Sequence, residues 1–370
     1  MLIALINDTH HDCRGGNAAI AAHQAKFWSE VFWPYLDRHN IRSIIHLGDL
    51  VDDRKHIDLR SLMALQTDLF TPAERRGVEF DVILGNHDVY FKSTNERNIM
   101  DSAFANTAYT RSGKLRWFSR PQEVTRGGLS MLFVPWVCKD TDAATIAAVD
   151  NSKSLIAMGH FEFNGFDMYR GTPAHGGYSA QQYSKFEAVF SGHYHHKSTR
   201  NNIHYLGAQY EMTWADYGDD RGFHVFDTET RELTYVKNPL GLFHKLFYDD
   251  ANFDDFDKLY ADVVKGREDV LADGYVKLVL IAKNNAYFLD RLAERLERIG
   301  LANLQIVDDH KNLDAQPDDE LINEAESTIT IIRKFALQLA ESNPQIESDR
   351  LSSLLADLFR EASAIDGSGD

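Results

Sequence analysis

Five short apolar runs in this chain end abruptly in clusters of Asp, Asn, His and Gly. LIALI leads into Asn7-Asp8-Thr9-His10 and SIIHL into Gly48-Asp49-Leu50-Val51-Asp52. FDVIL leads into Gly85-Asn86-His87-Asp88, SLIAM into Gly159-His160, and EAVFS into Gly192-His193-Tyr194-His195. Apolar runs of this length, bounded by turn-forming residues, read as strands buried on both faces. Between the first three lie stretches with apolar residues at helical spacing, 18–36 (Ile20, Phe27, Val31, Leu36) and 59–70. Strand–helix–strand–helix–strand implies a parallel sheet covered by helices. Such sheets bind ligands just beyond the carboxyl ends of their strands. The polar clusters fall where a site belongs.

After about residue 92 the pattern becomes strand-rich: KLRWF, LSMLFVPW, SLIAM, EAVFS, NIHYLG, GFHVFD and ELTYVK, the last two joined as a hairpin by a polar TETR turn. The expected fold class is α/β, with two packed mixed β-sheets flanked by helices. Asn238-Pro239-Leu240-Gly241 breaks the chain. The body is therefore taken as 1–238. A smaller α-β-α-β unit over 239–308 follows (helix 253–264, strand YVKLVLIA, helix 286–298, strand LANLQIV). Then come an acidic linker over 309–320 and two amphipathic C-terminal helices within 321–370. In the last of these, Leu351, Leu354, Leu355, Leu358, Phe359 and Ala362 form one apolar stripe.

Composition narrows the function. Fifty-six acidic against 39 basic residues give a net charge of −17, which argues against coating nucleic acid by bulk electrostatics. A local metal centre can still reverse the field at one site. No stretch is long and apolar enough to span a bilayer, and the N-terminal run reads as a first strand rather than a signal peptide. Cys13 and Cys138 are the only cysteines, so no disulfide framework or cysteine-rich zinc site is available and a cytoplasmic setting is expected. The clusters supply carboxylate, amide oxygen and imidazole without sulfur, a set suited to Mn²⁺, Fe²⁺ or Zn²⁺. Seven ligands exceed the needs of one ion, so two ions sharing a carboxylate are expected. Glycine before the ligand in four clusters lets the backbone turn sharply and approach the metals.

The ordered set D-x-H, G-D-x-x-D, G-N-H-D, G-H and G-H-x-H resembles the signature of calcineurin-like metallophosphoesterases. The stretches GDLVDDRKHI, GNHDVYFKSTN, FVPW, GHFEFNGF and SGHYHH resemble the SbcD-type double-strand-break repair nucleases within that superfamily, most of all their phage-encoded counterparts. A lone strand-end histidine is more often a satisfied polar group than a ligand, but five ordered matches make coincidence a poor explanation.

The resemblance implies the metallophosphoesterase sandwich and a site with assigned roles. Asp49 bridges two divalent ions, manganese first, with magnesium, iron(II) or zinc as alternatives. Asp8, His10 and His195 complete one site; Asn86, His160 and His193 complete the other. His87 acts beside the scissile phosphate as general acid or charge stabiliser, and Asp88 orients it. Asp52 supports from behind the ligands. Period-2 spacing selects His10, His193 and His195 over their neighbours His11 and His196. His46 is expected to be packed within its strand, and His23, His39 and His56 to lie on helix surfaces or loops. Arg54, Lys55, Lys92, Asn95 and Arg97 are candidates for substrate phosphates; solvated loop charge is the equal alternative.

Two departures from the family pattern stand out. His10 is followed by His11-Asp12 rather than Leu-Gly, and Asp52 takes a position where cellular members often carry histidine. The implied function is the nuclease subunit of a DNA repair and recombination complex, with exo- and endonuclease activity on DNA. The implied partners are DNA, a second copy of the chain, and an SbcC-type ABC ATPase whose coiled coil the C-terminal helices grip. No membrane is implied, and for a phage-encoded protein the setting is the host cytoplasm. The alternatives are a stand-alone metallophosphatase or cyclic-nucleotide phosphodiesterase, and a non-catalytic scaffold for the ATPase.

Overall fold

The computed structural model describes residues 1–308, apart from Arg170, His175 and Gly176, together with Arg350, Leu351 and Leu354. Met1–His310 form one compact unit. Its body holds two six-stranded sheets. The first runs Leu233–Lys237, Gly222–Asp227, Leu2–Ile6, Ser43–His46, Glu79–Ile83, Leu115–Phe118. Its last four strands are parallel, and the hairpin of the first two adds antiparallel to Leu2–Ile6. The second runs Ser198–Arg200, Ile203–Tyr205, Ala188–Ser191, Ile156–Gly159, Leu129–Val134, Gln122–Arg126. Its middle four strands are parallel and both edges antiparallel.

Alternation along the strands places the layers. Ile3, Leu5, Ile45 and Ile83 of the first sheet meet Met131, Phe133, Ile156, Met158 and Phe190 of the second in a fully buried seam. Ala4, Ile6, Ile44, Phe80 and Val82, one residue out of phase, face the helices instead. Both sheets deliver the carboxyl ends of their parallel strands to the same end of the seam, and all five polar clusters follow those ends.

Helix 18–38 is continuous, with a π-helical middle at Phe27–Phe32. Asn17 caps it by accepting the N–H groups of Ala19 and Ile20. Helix 59–75 likewise carries a π-helical stretch, Leu65–Phe70, and is capped by Asp58. Burial pushes the carboxyl of Asp68 on that helix from 3.8 up to about 6. The fold thus favours the protonated form. The stabilising contribution is full below the ordinary carboxylate value and is lost as pH rises through about 6. Asp68→Asn is therefore expected to raise the melting temperature at pH 7.5, with the gain shrinking as pH is lowered to 5. An equal gain at both pH values would contradict this.

Several features depart from expectation. The unit after the break opens with a strand, Phe243–Asp249, which pairs in parallel with Tyr275–Ala282, itself parallel to Asn303–Val307. Its order is therefore β-α-β-α-β, with helices Phe256–Val264 and Ala286–Glu297 over a core of its own. The opening strand hides in FHKLFYD because it is gripped from both sides. Phe243 joins the core of the body while Leu246 and Tyr248 join that of the small unit. Helix Asp142–Asn151 and the polar edge strand Gln122–Arg126 also carry too weak a pattern to read. His23 is not a surface residue but 6% exposed; that face of helix 18–38 lines a cavity whose other wall includes Leu240, Gly241 and Gly274. The linker 309–320 and most of 321–370 lie outside the described residues. Arg350, Leu351 and Leu354 are helical, and Leu354 is exposed.

Candidate metal centre

The backbone is bent hard where the ligands sit. Asp8, His10, Asp49 and His193 all adopt positive φ, at 49°, 40°, 61° and 87°. Four non-glycine residues in the left-handed region, all at strand ends around one point, mark a site where geometry is imposed by surroundings. The surroundings are identifiable. Asp8 N–H donates to the Gly48 carbonyl at 2.8 Å, and the N–H groups of Thr9 and His10 donate to that of Asp49. Gln209, fully buried, brackets Asn7 by donating to its carbonyl and accepting from its N–H. Tyr210 hydroxyl donates to the Thr9 carbonyl at 2.6 Å, and Gln24 to those of Thr9 and His10. Gly48, at φ 99°, has no room for a side chain: a Cβ would stand 2.4 Å from His160 Nδ1. At Gly85 it would stand 2.1 Å from Asp49 Oδ1.

The candidate ligand atoms converge in two sets, with a third donor group, His10, Asp52 and His87, sharing His10 with the first. Asp8, His10 and His195 place ligating atoms within 4.8 Å of one another, and so do Asp49, His160 and His193. Asn86 Oδ1 lies 2.9 Å from His160 Nε2, joining the second set. Asp49 stands between the sets. Its Oδ2 is 3.1 Å from His160 Nε2 and 4.0 Å from His10 Nε2, while Oδ1 accepts the His87 N–H at 2.9 Å.

The donor set fits divalent cations. His160 Nδ1 meets the Leu47 carbonyl at 2.7 Å and must donate there. Its Nε2 faces the oxygens of Asn86 and Asp49; burial would lower the ring's pKa, but Asp49 raises it and draws a proton to Nε2, a place a bound cation would take. His193 Nε2 is buried without a hydrogen-bond partner among the described residues, and burial holds its pKa well below the usual histidine value, so the ring is neutral. His10 shows the opposite pressure. Burial would lower it, but Asp52, Asp49 and Asp8 outweigh burial and raise it to about 10. Burial would raise Asp49, yet the facing His160, His87 and His10 hold it well below the carboxylate range. The pocket demands positive charge.

Partners behind the ligands are in place. Asp52 Oδ1 lies 3.0 Å from His10 Nδ1, leaving His10 Nε2 for the metal; that contact is close but off the line of a hydrogen bond. The two departures from the family pattern meet here. The Asp12 carboxylate accepts the N–H groups of Asp52 and Asp53, and the Asp52 carboxylate accepts that of Arg14. His193 N–H donates to the Asp8 carboxylate. Arg221, buried and paired with Asp216 and Asp219, donates to the His195 carbonyl.

The unselected histidines turn away. His11 stacks on Trp28, with planes 9° apart. His196 pairs with Asp219 at 2.8 Å. His46 is fully buried, its Nδ1 accepting from Gly48 N–H and its Nε2 donating to Thr9.

Asp88 has another role than orienting His87. Its carboxylate accepts the N–H groups of Gly85, Asp49 and Leu50 at 2.8–2.9 Å, stapling the third cluster to the second, while His87 Nδ1 meets the Asp52 carbonyl. Burial, then the charge of Asp49, push the Asp88 carboxyl up to about 6. Asp88→Asn offers one acceptor oxygen to three N–H groups. It is expected to cost about 1–3 kcal/mol of stability and to weaken metal binding, both read by melting with and without Mn²⁺. Unchanged melting would contradict the staple.

The basic candidates divide. Arg54, Lys55 and Arg97 line a cavity of about 300 Å³ that His87 also lines. Lys92 sits exposed at the tip of the hairpin Val89–Phe91/Thr94–Asn98 and does not line it. Asn95 is buried and donates to the carbonyls of Ser119 and Trp136, a structural role. Its polarity and position after the third cluster suggest a substrate contact, but its place on the inner side of the hairpin turns it inward. Gln209, Tyr210, Arg221 and Trp136, whose ring lies 5.5 Å from that of His193, were not selected. Gln209 and Tyr210 follow the strand end at Tyr205, the same signal that marked the five clusters.

Over 214 residues the chain is 27% identical to exonuclease subunit 1 of Enterobacteria phage T4, a match covering 58% of this chain and 61% of that protein's length. An archaeal phosphodiesterase structure aligns at 9% identity and a TM-score of 0.34, over 64% of this chain and all of the other. The calcineurin-like phosphoesterase profile matches residues 1–197. That span is more than half of the chain and holds all seven candidate ligands, so the protein belongs to the calcineurin-like phosphoesterase family.

Proposed function

We propose that the chain is a di-metal phosphodiesterase that serves as the nuclease subunit of a DNA double-strand-break repair complex, cutting DNA from ends and internally. The observation that carries this is the placement of Asp49 between two ligand sets with His87 beside both. His87 is edge-on to His10, with ring centroids 5.1 Å apart. Asp8, His10, His195 and Asp49 would hold one ion, Mn²⁺ first among candidates; Asn86, His160, His193 and Asp49 would hold the other. Bound there, two divalent cations would neutralise phosphoryl charge and lower the pKa of a water between them. As a water oxygen bonds to phosphorus, the P–O bond to the leaving oxygen breaks. His87 gives that oxygen its proton from Nε2, its Nδ1 being held at the Asp52 carbonyl. The relative in phage T4 is named as an exonuclease subunit, which favours DNA and a multi-subunit setting. The test is hydrolysis of duplex DNA beside nitrophenyl phosphate with Mn²⁺. Release of nucleotides from DNA supports the reading, and hydrolysis of the monoester alone makes the protein a phosphatase.

The domain reading is part of this proposal. Residues 1–238 carry the chemistry, 239–308 contribute to DNA binding, and the helices of 321–370, beyond the linker 309–320, bind the coiled coil of an SbcC-type ATPase in the host cytoplasm. No helix among the described residues is long and apolar enough to cross a membrane. A homodimer is proposed through the helical stretch 59–70 and the segment 98–105. Leu59 and Met63, one turn apart, are 77% and 61% exposed there. Sedimentation of the full chain and of a chain ending at 348, each alone and with the ATPase, tests both contacts. The full chain is expected to be a dimer that binds the ATPase. The shortened chain is expected to be a dimer that does not, with its metals retained. A micromolar monomer, or ATPase binding that survives the truncation, would contradict the respective contact.

A further inference from the structure

Beside His87 lies the cavity of about 300 Å³, at the lower end of the roughly 300–1,000 Å³ of small-ligand clefts. The His87 ring is a shared wall, facing His10 on one side and lining the cavity on the other. An in-line displacement places the leaving oxygen opposite the attacking water, and the group that protonates it stands on the leaving side. The nucleoside attached to that oxygen must therefore lie beyond His87, where the cavity is.

The lining suits a nucleoside. Ile57 and Ile99 give it apolar surface, and Tyr90, 43% exposed, offers an aromatic face. Lys55 Nζ stands 5.8 Å from the centre of that ring. Arg97 makes no hydrogen bond or ion pair among the described residues, and the ring contact is the only one of the Lys55 ammonium. The acids of the lining, by contrast, are engaged. Asp53 accepts the N–H groups of Lys55 and His56 at 2.7 and 3.2 Å, and Asp88 accepts three others. In a chain of net charge −17, two uncompensated cations on one cavity wall point to an anionic ligand. The hairpin bearing Tyr90 and Arg97 follows Asp88 directly, and Ile99 N–H donates to the Asp88 carbonyl at 2.9 Å, so both side chains are held in register with the metal centre.

We infer that this cavity holds the leaving-side nucleoside of the substrate strand, its base against Tyr90 and its outer phosphate on Lys55 and Arg97. Tyr90 and Arg97 are thereby specificity-determining residues for nucleic acid over simple phosphodiesters. This deepens the proposed nuclease function and rests on it.

The experiment is calorimetric binding of thymidine 3′,5′-bisphosphate and of inorganic phosphate to the metal-loaded protein, beside hydrolysis of bis(p-nitrophenyl) phosphate by the wild type. The wild type is expected to bind the bisphosphate at least tenfold more tightly than phosphate. Tyr90→Ala and Arg97→Gln should each weaken the bisphosphate about tenfold, in line with loss of one base stack or one phosphate contact, and Tyr90→Ala should do so without moving the affinity for phosphate. Tyr90→Phe, which keeps the ring, should bind as wild type does. A wild type that prefers the bisphosphate no more than phosphate, or variants that bind it unchanged, would overturn the pocket. Discrimination with no diester hydrolysis would instead overturn the phosphodiesterase reading and leave the pocket standing.

Discussion

Asp49→Ala is expected to abolish hydrolysis of DNA and to leave the purified protein with well under half the metal of the wild type. Asp49 Oδ2 faces His160 at 3.1 Å and His10 at 4.0 Å, so under the proposed bridging role its removal would take one ligand from each ion. Two dications about 4 Å apart would then repel with no anion between them. The cost is roughly 4 kcal/mol for each pair of unit charges in a partly screened site, and two dications make four such pairs. The backbone adds to the effect, because φ at Asp49 is 61°, a conformation that asparagine tolerates and alanine resists. Asp49→Asn therefore separates the two contributions: it should keep the fold more nearly intact and still lose metal. Two fully occupied sites in either variant would contradict the bridging role.

His87→Ala is expected to behave in the opposite way. Both metals should stay, because the proposed ligand sets do not include His87 and the loop is held by Asp88, whose three N–H contacts do not involve the ring. Turnover should fall on the order of 10²–10⁴-fold, the range for losing a positioned acid–base group. The loss should be smaller on a diester with a nitrophenolate leaving group, which needs no protonation. Metal loss in this variant would make His87 a ligand. Equal loss on both substrates would make it a charge stabiliser rather than an acid.

The central layers of the fold were legible because their strands are short, apolar and terminated by clusters that only a site explains. Ile3 and Ala4 show why the two cores follow: one residue of phase sends the first into the seam and the second under the helices. What escaped has a physical reason in each case. Phe243–Asp249 serves two cores at once and so lacks a single apolar face. Gln122–Arg126 is a polar edge strand, with Gln122, Glu123 and Thr125 exposed. His23 reads as a surface position on its own helix, yet it is buried and shares a cavity with residues more than 200 positions away. At the site, the sequence picked out side chains that converge, and it misjudged those that act on backbone. Asp88 and Asn95 both look like groups for a ligand, yet each spends its polar atoms on main-chain groups of neighbouring loops. Nothing in the local sequence tells an outward carboxylate from an inward one.

The measurement that tests the account most directly is diffraction from Mn²⁺-soaked crystals at the manganese edge. Two anomalous peaks are expected about 3.5–4 Å apart. One should lie among Asp8, His10 and His195, the other among Asn86, His160 and His193, with the Asp49 carboxylate between them. A single peak, or peaks away from Asp49, would contradict a two-metal phosphodiesterase.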